Sequence, residues 1–258
     1  MFRTAFVIAV LSAGLWGASA RAGTPFGGDD LGFIPPDVGE AKCEAAAAKL
    51  VVKTVKAILK AHNKRAKGHI DPSTEEALED PNYIGRIAPV LGRLFRSGVS
   101  CNAALGCLED TSFGLNILTI TRRLAFGNDD AGWSPINAAI YCDTSSGTPF
   151  GGDDSGFIPP PKSAIANCEI KVGKAVSKLA LCYLNCHALR ASGILPDETA
   201  EEACESTCTT GFTGSVAQLN GCPSCIDSGA IANMTESLLD GTYVPAIYCA
   251  SPSGAFVQ

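Results

Sequence analysis

One string of residues occurs twice in this chain, and that duplication limits the possible folds more than any other feature. Gly23, Thr24, Pro25, Phe26, Gly27, Gly28, Asp29 and Asp30 lead through Leu31 to Gly32, Phe33, Ile34, Pro35 and Pro36. The same order returns over residues 147–160, with Ser155 in the place of Leu31. A long helix-forming segment follows each copy, and it contains Cys43 and Glu44 in the first and Cys168 and Glu169 in the second. Both halves then close alike, on Ala139, Ile140, Tyr141 and Cys142 and on Ala246, Ile247, Tyr248 and Cys249. Matches at start, middle and end divide the chain near residues 144–147. The expected units are 23–146 and 147–258, each of ordinary domain size.

The residues before the first copy have the pattern of an export signal. Arg3 gives a positive start, an apolar run covers residues 5–16, and Ala18, Ser19, Ala20 and Ala22 supply small residues for cleavage. Residues 1–22 are therefore expected to be a signal peptide, and the mature chain to be periplasmic or extracellular. No later run approaches the roughly 20 apolar residues that cross a bilayer, so no transmembrane segment is expected in the mature chain. Removing Arg3 and Arg21 makes the net charge more negative than the −6 of the whole chain. A chain this acidic lacks the basic footprint of a general nucleic-acid binder. The twelve cysteines all follow residue 22, and their even number fits a disulfide framework in an oxidising compartment.

Each half opens with two helical patterns. In the first, Asp37 and Glu40 have the spacing of a capping box, and Ala41, Ala45, Ala48, Val52, Val55 and Leu59 fall on one apolar face ending at Gly68. In the second, Ile165, Cys168, Val172, Ala175, Leu179, Cys182, Cys186 and Leu189 repeat that face. Asp71 and Pro72, and in the second half Pro196 and Asp197, start the following helix. The expected fold is all-α or predominantly α: two tandem disulfide-stapled helical units, each beginning with an αα-hairpin. Residues 114–126 fit helix or strand, because Ile117, Thr119, Ile120 and Thr121 are β-branched.

The repeat sorts the cysteines. Cys43, Cys101, Cys107 and Cys142 have approximate counterparts in Cys168, Cys222, Cys225 and Cys249, and the sequence leaves the pairing of these eight open. Cys182, Cys186, Cys204 and Cys208 belong to the second half alone, as two C-x3-C pairs. Residues four apart share a helix face, so antiparallel packing sets Cys182 beside Cys208 and Cys186 beside Cys204. Over residues 182–208 this resembles the twin C-x3-C helical hairpins of small mitochondrial intermembrane-space proteins. Three other chemistries compete, the first being tetrahedral zinc held by the thiolates of Cys182, Cys186, Cys204 and Cys208. Cys182, Cys186 and His187 form a C-x3-C-H string one residue longer than the usual haem attachment site, and Cys222 and Cys225 have the C-x-x-C spacing of a redox dithiol. Against haem, His62 holds the place of His187 in the first half without any cysteines, so both histidines are expected to be helix-surface or packing residues.

Three further features bear on function. Phe26, Phe126 and Phe150 each begin an acidic string, with Asp29 and Asp30, Asp129 and Asp130, or Asp153 and Asp154. Adjacent aspartates beside glycine make a stereotyped turn, and two neighbouring carboxylates are too few for calcium. Three histidines scattered along the chain suggest no metal centre. Lys42, Lys49, Lys53, Lys56, Lys60, Lys64 and Lys67 form a stripe on the first long helix. Its central members, Lys49, Lys53, Lys56 and Lys60, are candidates for holding an anionic envelope polymer, although Glu75, Glu76, Glu79 and Asp80 could neutralise part of the stripe.

No nucleophile elbow, phosphate loop, dinucleotide fingerprint or zinc-protease motif is present. The expected function is a non-enzymatic exported binding or envelope-associated protein without a cofactor or metal, with an anionic envelope polymer or another exported protein as partner. A periplasmic redox or electron-transfer protein, using the dithiol or the haem string, is the alternative.

Overall fold

The computed structural model describes residues 23–35, 38–79, 133–152 and 154–249. The proposed signal peptide, the ambiguous segment 114–126, the acidic string from Phe126, Cys101 and Cys107 lie outside them. So do Asp37, Asp153 and the side chains of Glu40 and Cys43.

The described chain is mostly helical. Two short strands, β1 (Thr24–Gly27) and β2 (Asp30–Ile34), precede the long helix α1 (Val38–Ala66) and α2 (Pro72–Glu79). After α3 (Trp133–Ile140) the strand pair returns as β3 (Thr148–Gly151) and β4 (Asp154–Ile158), followed by α4 (Ala164–Ala191) and α5 (Glu198–Ala217). Helix α6 (Ser228–Leu238) runs through a π-helical turn (Leu239–Tyr243) into α7 (Val244–Ile247). The α2 and α5 starts are capped as their sequences require. Asp71 Oδ1 accepts the Thr74 N–H at 2.7 Å and Asp197 Oδ1 that of Ala200 at 2.9 Å.

The duplicated string is more than a turn. In each copy the turn joins two antiparallel strands, Thr24 opposite Ile34 and Thr148 opposite Ile158. Gly27 and Gly28 take φ of +101° and +59°, values that L side chains rarely adopt. Strand alternation then turns Phe26 and Phe150 inward, where each is almost fully buried. Strands this short, with a proline inside, carry too weak an alternating pattern to be read from sequence.

The halves interlock. Hairpin β1–β2 lies on the end of the second half, where the Phe33 N–H donates to the Tyr248 carbonyl at 2.8 Å. Hairpin β3–β4 lies on the end of the first, where the Phe157 N–H donates to the Tyr141 carbonyl at 2.8 Å. Gly32 and Gly156 allow this approach, since a Cβ at either would stand 3.1 or 3.0 Å from those carbonyl oxygens. Helices α1 and α4 pack together, with Gly173 near the start of α4 against Asn63 near the end of α1. Trp133 donates from Nε1 to the Tyr243 hydroxyl at 2.9 Å across the same divide.

Burial follows these contacts. Ala41, Ala48, Val55 and Leu59 of the expected α1 face are buried, and Val51 and Ile58 join them. Helix α4 buries Cys168, Val172 and Leu179 of its expected face but also Val176, Tyr183 and Leu184, because α1 and α5 cover it on separate sides. A narrow apolar stripe is what a surface helix shows. The buried face of α4 is wider, and only the side through Lys171, Lys174, Lys178 and Leu181 stays exposed.

Four disulfides are seen among the described residues. Cys182–Cys208 and Cys186–Cys204 join α4 to α5. Cys168–Cys222 ties the start of α4 to the loop before α6, and Cys142–Cys225 crosses between the halves. Cys249 is also disulfide-bonded. Cys222 and Cys225 are thus bonded to distant partners and not to each other, and the Cys182 and Cys186 sulfurs are already engaged. As bonded here, none of the four offers a thiol for dithiol exchange or for a haem thioether.

Glu169 fastens the junction between the halves. It is fully buried, and its Oε1 accepts the backbone N–H groups of Cys142 and Asp143 at 3.2 and 3.4 Å. Burial pushes its carboxyl up to about 7, against the lowering effect of those two N–H groups. A folded-state value above the unfolded one means this group's stabilisation is complete below about pH 4.5 and is lost as pH rises through 7. Glu169→Gln keeps an acceptor without the charge. Urea unfolding should therefore show a smaller loss of stability from pH 5 to pH 8 in the variant than in the wild type. Equal losses would contradict this.

Candidate metal centre

The repeat brings a histidine of each half against the hairpin of the other. His187 is fully buried on α4, with its Nε2 2.7 Å from Oδ1 of Asp30, the first residue of β2. His62 on α1 stands in the same relation to Asp154, the first residue of β4, at 3.1 Å. Neither is a helix-surface residue. The histidines are far apart in sequence, but interlocking gives each a carboxylate from the opposite half. Helix α2 adds Glu75 to the first set and α5 adds Glu201 to the second. In both an arginine flanks the glutamate, Arg65 Nε at 3.6 Å from Glu75 and Arg190 Nε at 3.7 Å from Glu201.

The second set goes further. Around His187 Nε2, besides Asp30, lie Asp240 Oδ1 at 3.3 Å and Glu205 Oε1 at 3.4 Å. His187 Nδ1 is 2.9 Å from the Tyr183 carbonyl, an acceptor only, so Nδ1 carries a proton and donates it. That bond holds Nε2 toward the three carboxylates. A single Nε2–H can donate well to one oxygen, and three are gathered about it. The remaining donors are missing: Asp30 Oδ2, Glu205 Oε1, Asp240 Oδ1 and both Glu201 oxygens are buried with no hydrogen-bond partner. Buried carboxylates normally have donors or a paired charge. Arg190 and His187 supply at most two positive charges to the four carboxylates.

The electrostatics express the same deficit. Burial pushes Glu205 up to about 9 and Glu201 to about 8, with His187 acting in the opposite sense and the neighbouring carboxylates adding to the rise. Asp240 is raised by burial as well. For His187 burial opposes charging, but Asp240 and Asp30 outweigh it and lift the imidazole well above its ordinary value. The cluster favours added positive charge, whether as protons or as a cation.

The carboxylates continue outward from His187. Sets whose ligand atoms lie within 4.8 Å of one another are Asp30, His187 and Asp240; His187, Glu201 and Glu205; Asp30, Glu198 and Glu201; and Asp29, Glu198 and Glu202. The last is largely exposed. Glycine at position 28 lets the hairpin turn lie directly on the Glu198 carboxylate. A line of oxygen ligands therefore leads from solvent to the buried imidazole. Nε2 coordination with Nδ1 bonded to a backbone carbonyl is the usual arrangement of a histidine that ligates a metal. One nitrogen and several carboxylates suit zinc, manganese or ferrous iron better than calcium, which prefers oxygen alone.

The first half differs from this in sequence at two positions. Aligned on the shared closing residues, Trp133 occupies the position of Asp240, and aligned on Glu75 and Glu201, Pro72 occupies that of Glu198. Sequence reading missed the centre because its signals are ordinary ones. Glu198, Glu201, Glu202 and Glu205 share one side of α5 near its start, where acidic residues already favour the helix dipole. Their spacing was visible. That Asp30 would arrive from the other half was not.

The lysine candidates lie elsewhere. Lys49, Lys53, Lys56 and Lys60 are exposed, and only Lys56 and Lys60 border a groove between α1 and α4. Glu75, expected to help neutralise the stripe, is buried against Arg65. No helix among the described residues is long and apolar enough to cross a membrane. No protein-family model, curated protein or solved structure matches the chain.

Proposed function

We propose that this is an exported binding protein, internally duplicated and disulfide-stabilised, that holds a divalent transition-metal ion at His187. The observation that carries this reading is the buried His187 Nε2, fixed by the Tyr183 carbonyl and faced by Asp30, Asp240 and Glu205. Ligands drawn from β2, α4, α5 and the π-helical turn make a centre that only the folded chain assembles. The signal-peptide pattern and the disulfides support export.

Metal retention tests this directly. The chain from residue 23, equilibrated separately with zinc, manganese and calcium and then desalted, should retain about one equivalent of zinc or manganese and little calcium. Asp240→Asn and Glu205→Gln, which keep the side-chain shapes, should each lower retention at least ~10-fold, an effect typical of losing one coordinating charge. Retention of none of the ions, or retention unchanged in both variants, would overturn the proposal.

A further inference from the structure

The groove between α1 and α4 has a volume of about 340 Å³ and is bordered by Lys56, Lys60 and Lys64 of α1, by Lys67 and His69 just beyond its end, and by Lys174 of α4. Among the described residues no carboxylate lines it. The side chains of these five lysines make no ion pair or hydrogen bond with a described residue. The chain as a whole carries a formal charge of −6, so this concentration of positive charge is local and opposite in sign to the rest.

Packing like charges three and four residues apart on a helix is unfavourable, and α1 does so repeatedly with no acidic residue from Lys53 to Lys67 to relieve it. The duplication provides an internal control. The positions of Lys56, Lys60, Lys64 and Lys67 are held in the second half by Leu181, Asn185, Leu189 and Ser192. The same helix therefore forms in α4 without any of these charges, and the fold does not require them. Lys174 reaches the groove from the opposite helix, which a solvated stripe on α1 alone would not explain.

We infer that this groove binds a multiply charged phosphate group. Several ammonium groups converging from two sides match an anion that presents more than one phosphate or a doubly charged monoester, and lysine serves phosphate as a point charge. The phosphate belongs to a soluble sugar phosphate or to a lipid headgroup, and the two sources share this chemistry. The site is separate from the His187 centre and does not depend on it.

The test uses the chain from residue 23 with two probes. Fructose 1,6-bisphosphate is titrated calorimetrically, and vesicles of phosphatidylcholine with and without phosphatidic acid are sedimented with the protein. Lys56→Gln, Lys60→Gln, Lys64→Gln and Lys67→Gln are combined in one variant. Lys42→Gln, Lys49→Gln, Lys171→Gln and Lys178→Gln form a control with the same change in net charge. Binding to the bisphosphate, to the phosphatidic acid vesicles or to both is expected, weakened about 10-fold or more by the groove variant and less than about twofold by the control. Which probe binds identifies the source. Failure of both probes, or equal weakening in the two variants, would overturn the inference.

Discussion

Zinc or manganese added to the metal-stripped chain is expected to raise its melting temperature by roughly 5–10 °C, and His187→Ala to abolish that rise. A ligand bound only by the folded state stabilises it by about 2.7 kcal/mol at a hundredfold excess over its dissociation constant. In a chain of this size each kcal/mol corresponds to about 2–4 °C. Selectivity for the folded state is built into the ligands: Asp30 and Asp240 are far apart in sequence and meet only when β1–β2 has docked on the second half. A purely structural ion pair between His187 and Asp30 predicts something different. In that case metal leaves the melting temperature unchanged, and Asp240→Asn stabilises the chain by removing an excess buried charge. If the centre binds metal, Asp240→Asn still relieves repulsion in the stripped chain but removes most of the metal-dependent rise. The two behaviours separate in one set of melts, with and without metal. His187→Ala alone would not separate them, because it leaves buried carboxylates unpaired under either reading.

How far the chain's letters expose this arrangement depends on whether a feature is local. The helical period of α1 and α4 is local, and Val172, Leu179, Val55 and Leu59 lie buried where that period places them. The turn at Gly27 and Gly28 is local too, since backbone with positive φ calls for glycine. Which surface the turn meets is not local. Nothing near Asp30 indicates that its carboxylate will face His187, 157 positions away. The same limit applies to the burial of Glu201 and Glu205, whose place at the start of α5 is what an exposed, dipole-favoured glutamate would also occupy. Leu31 and Ser155 mark it as well. They occupy one position of the repeat, and both are exposed, so neither residue type is dictated by packing.

Interlocking also decides what each half can do alone. Residues 147–258 produced without the first half should give no folded monomer, and residues 23–146 likewise. The second half would retain the Cys168–Cys222, Cys182–Cys208 and Cys186–Cys204 pairs. Its α4–α5 hairpin would stay helical, because those bonds restrict the unfolded chain. It would lose the α1 surface that covers α4, the partner of Cys225 and the hairpin whose Phe26 packs on Tyr248 and His187. Each large apolar side chain returned to water costs about 1.5–3 kcal/mol, and several at once exceed the 5–15 kcal/mol that holds an ordinary domain together. The expected result is helical far-ultraviolet dichroism without the near-ultraviolet signal of fixed aromatics and without a cooperative melt. Mixing the separately made halves under oxidising conditions should restore both, since each carries the hairpin the other needs. The duplication adds a stricter outcome. Hairpin β3–β4 repeats β1–β2 almost letter for letter, so the isolated second half at high concentration should pair with itself, Asp154 of one copy facing His187 of the other. Sedimentation would then show a dimer and never a compact monomer. A second half that sediments as a monomer and melts cooperatively would show instead that the two copies are separate domains, and that the cross-half contacts at Asp30, Phe33, Tyr141 and Trp133 are not what stabilises them.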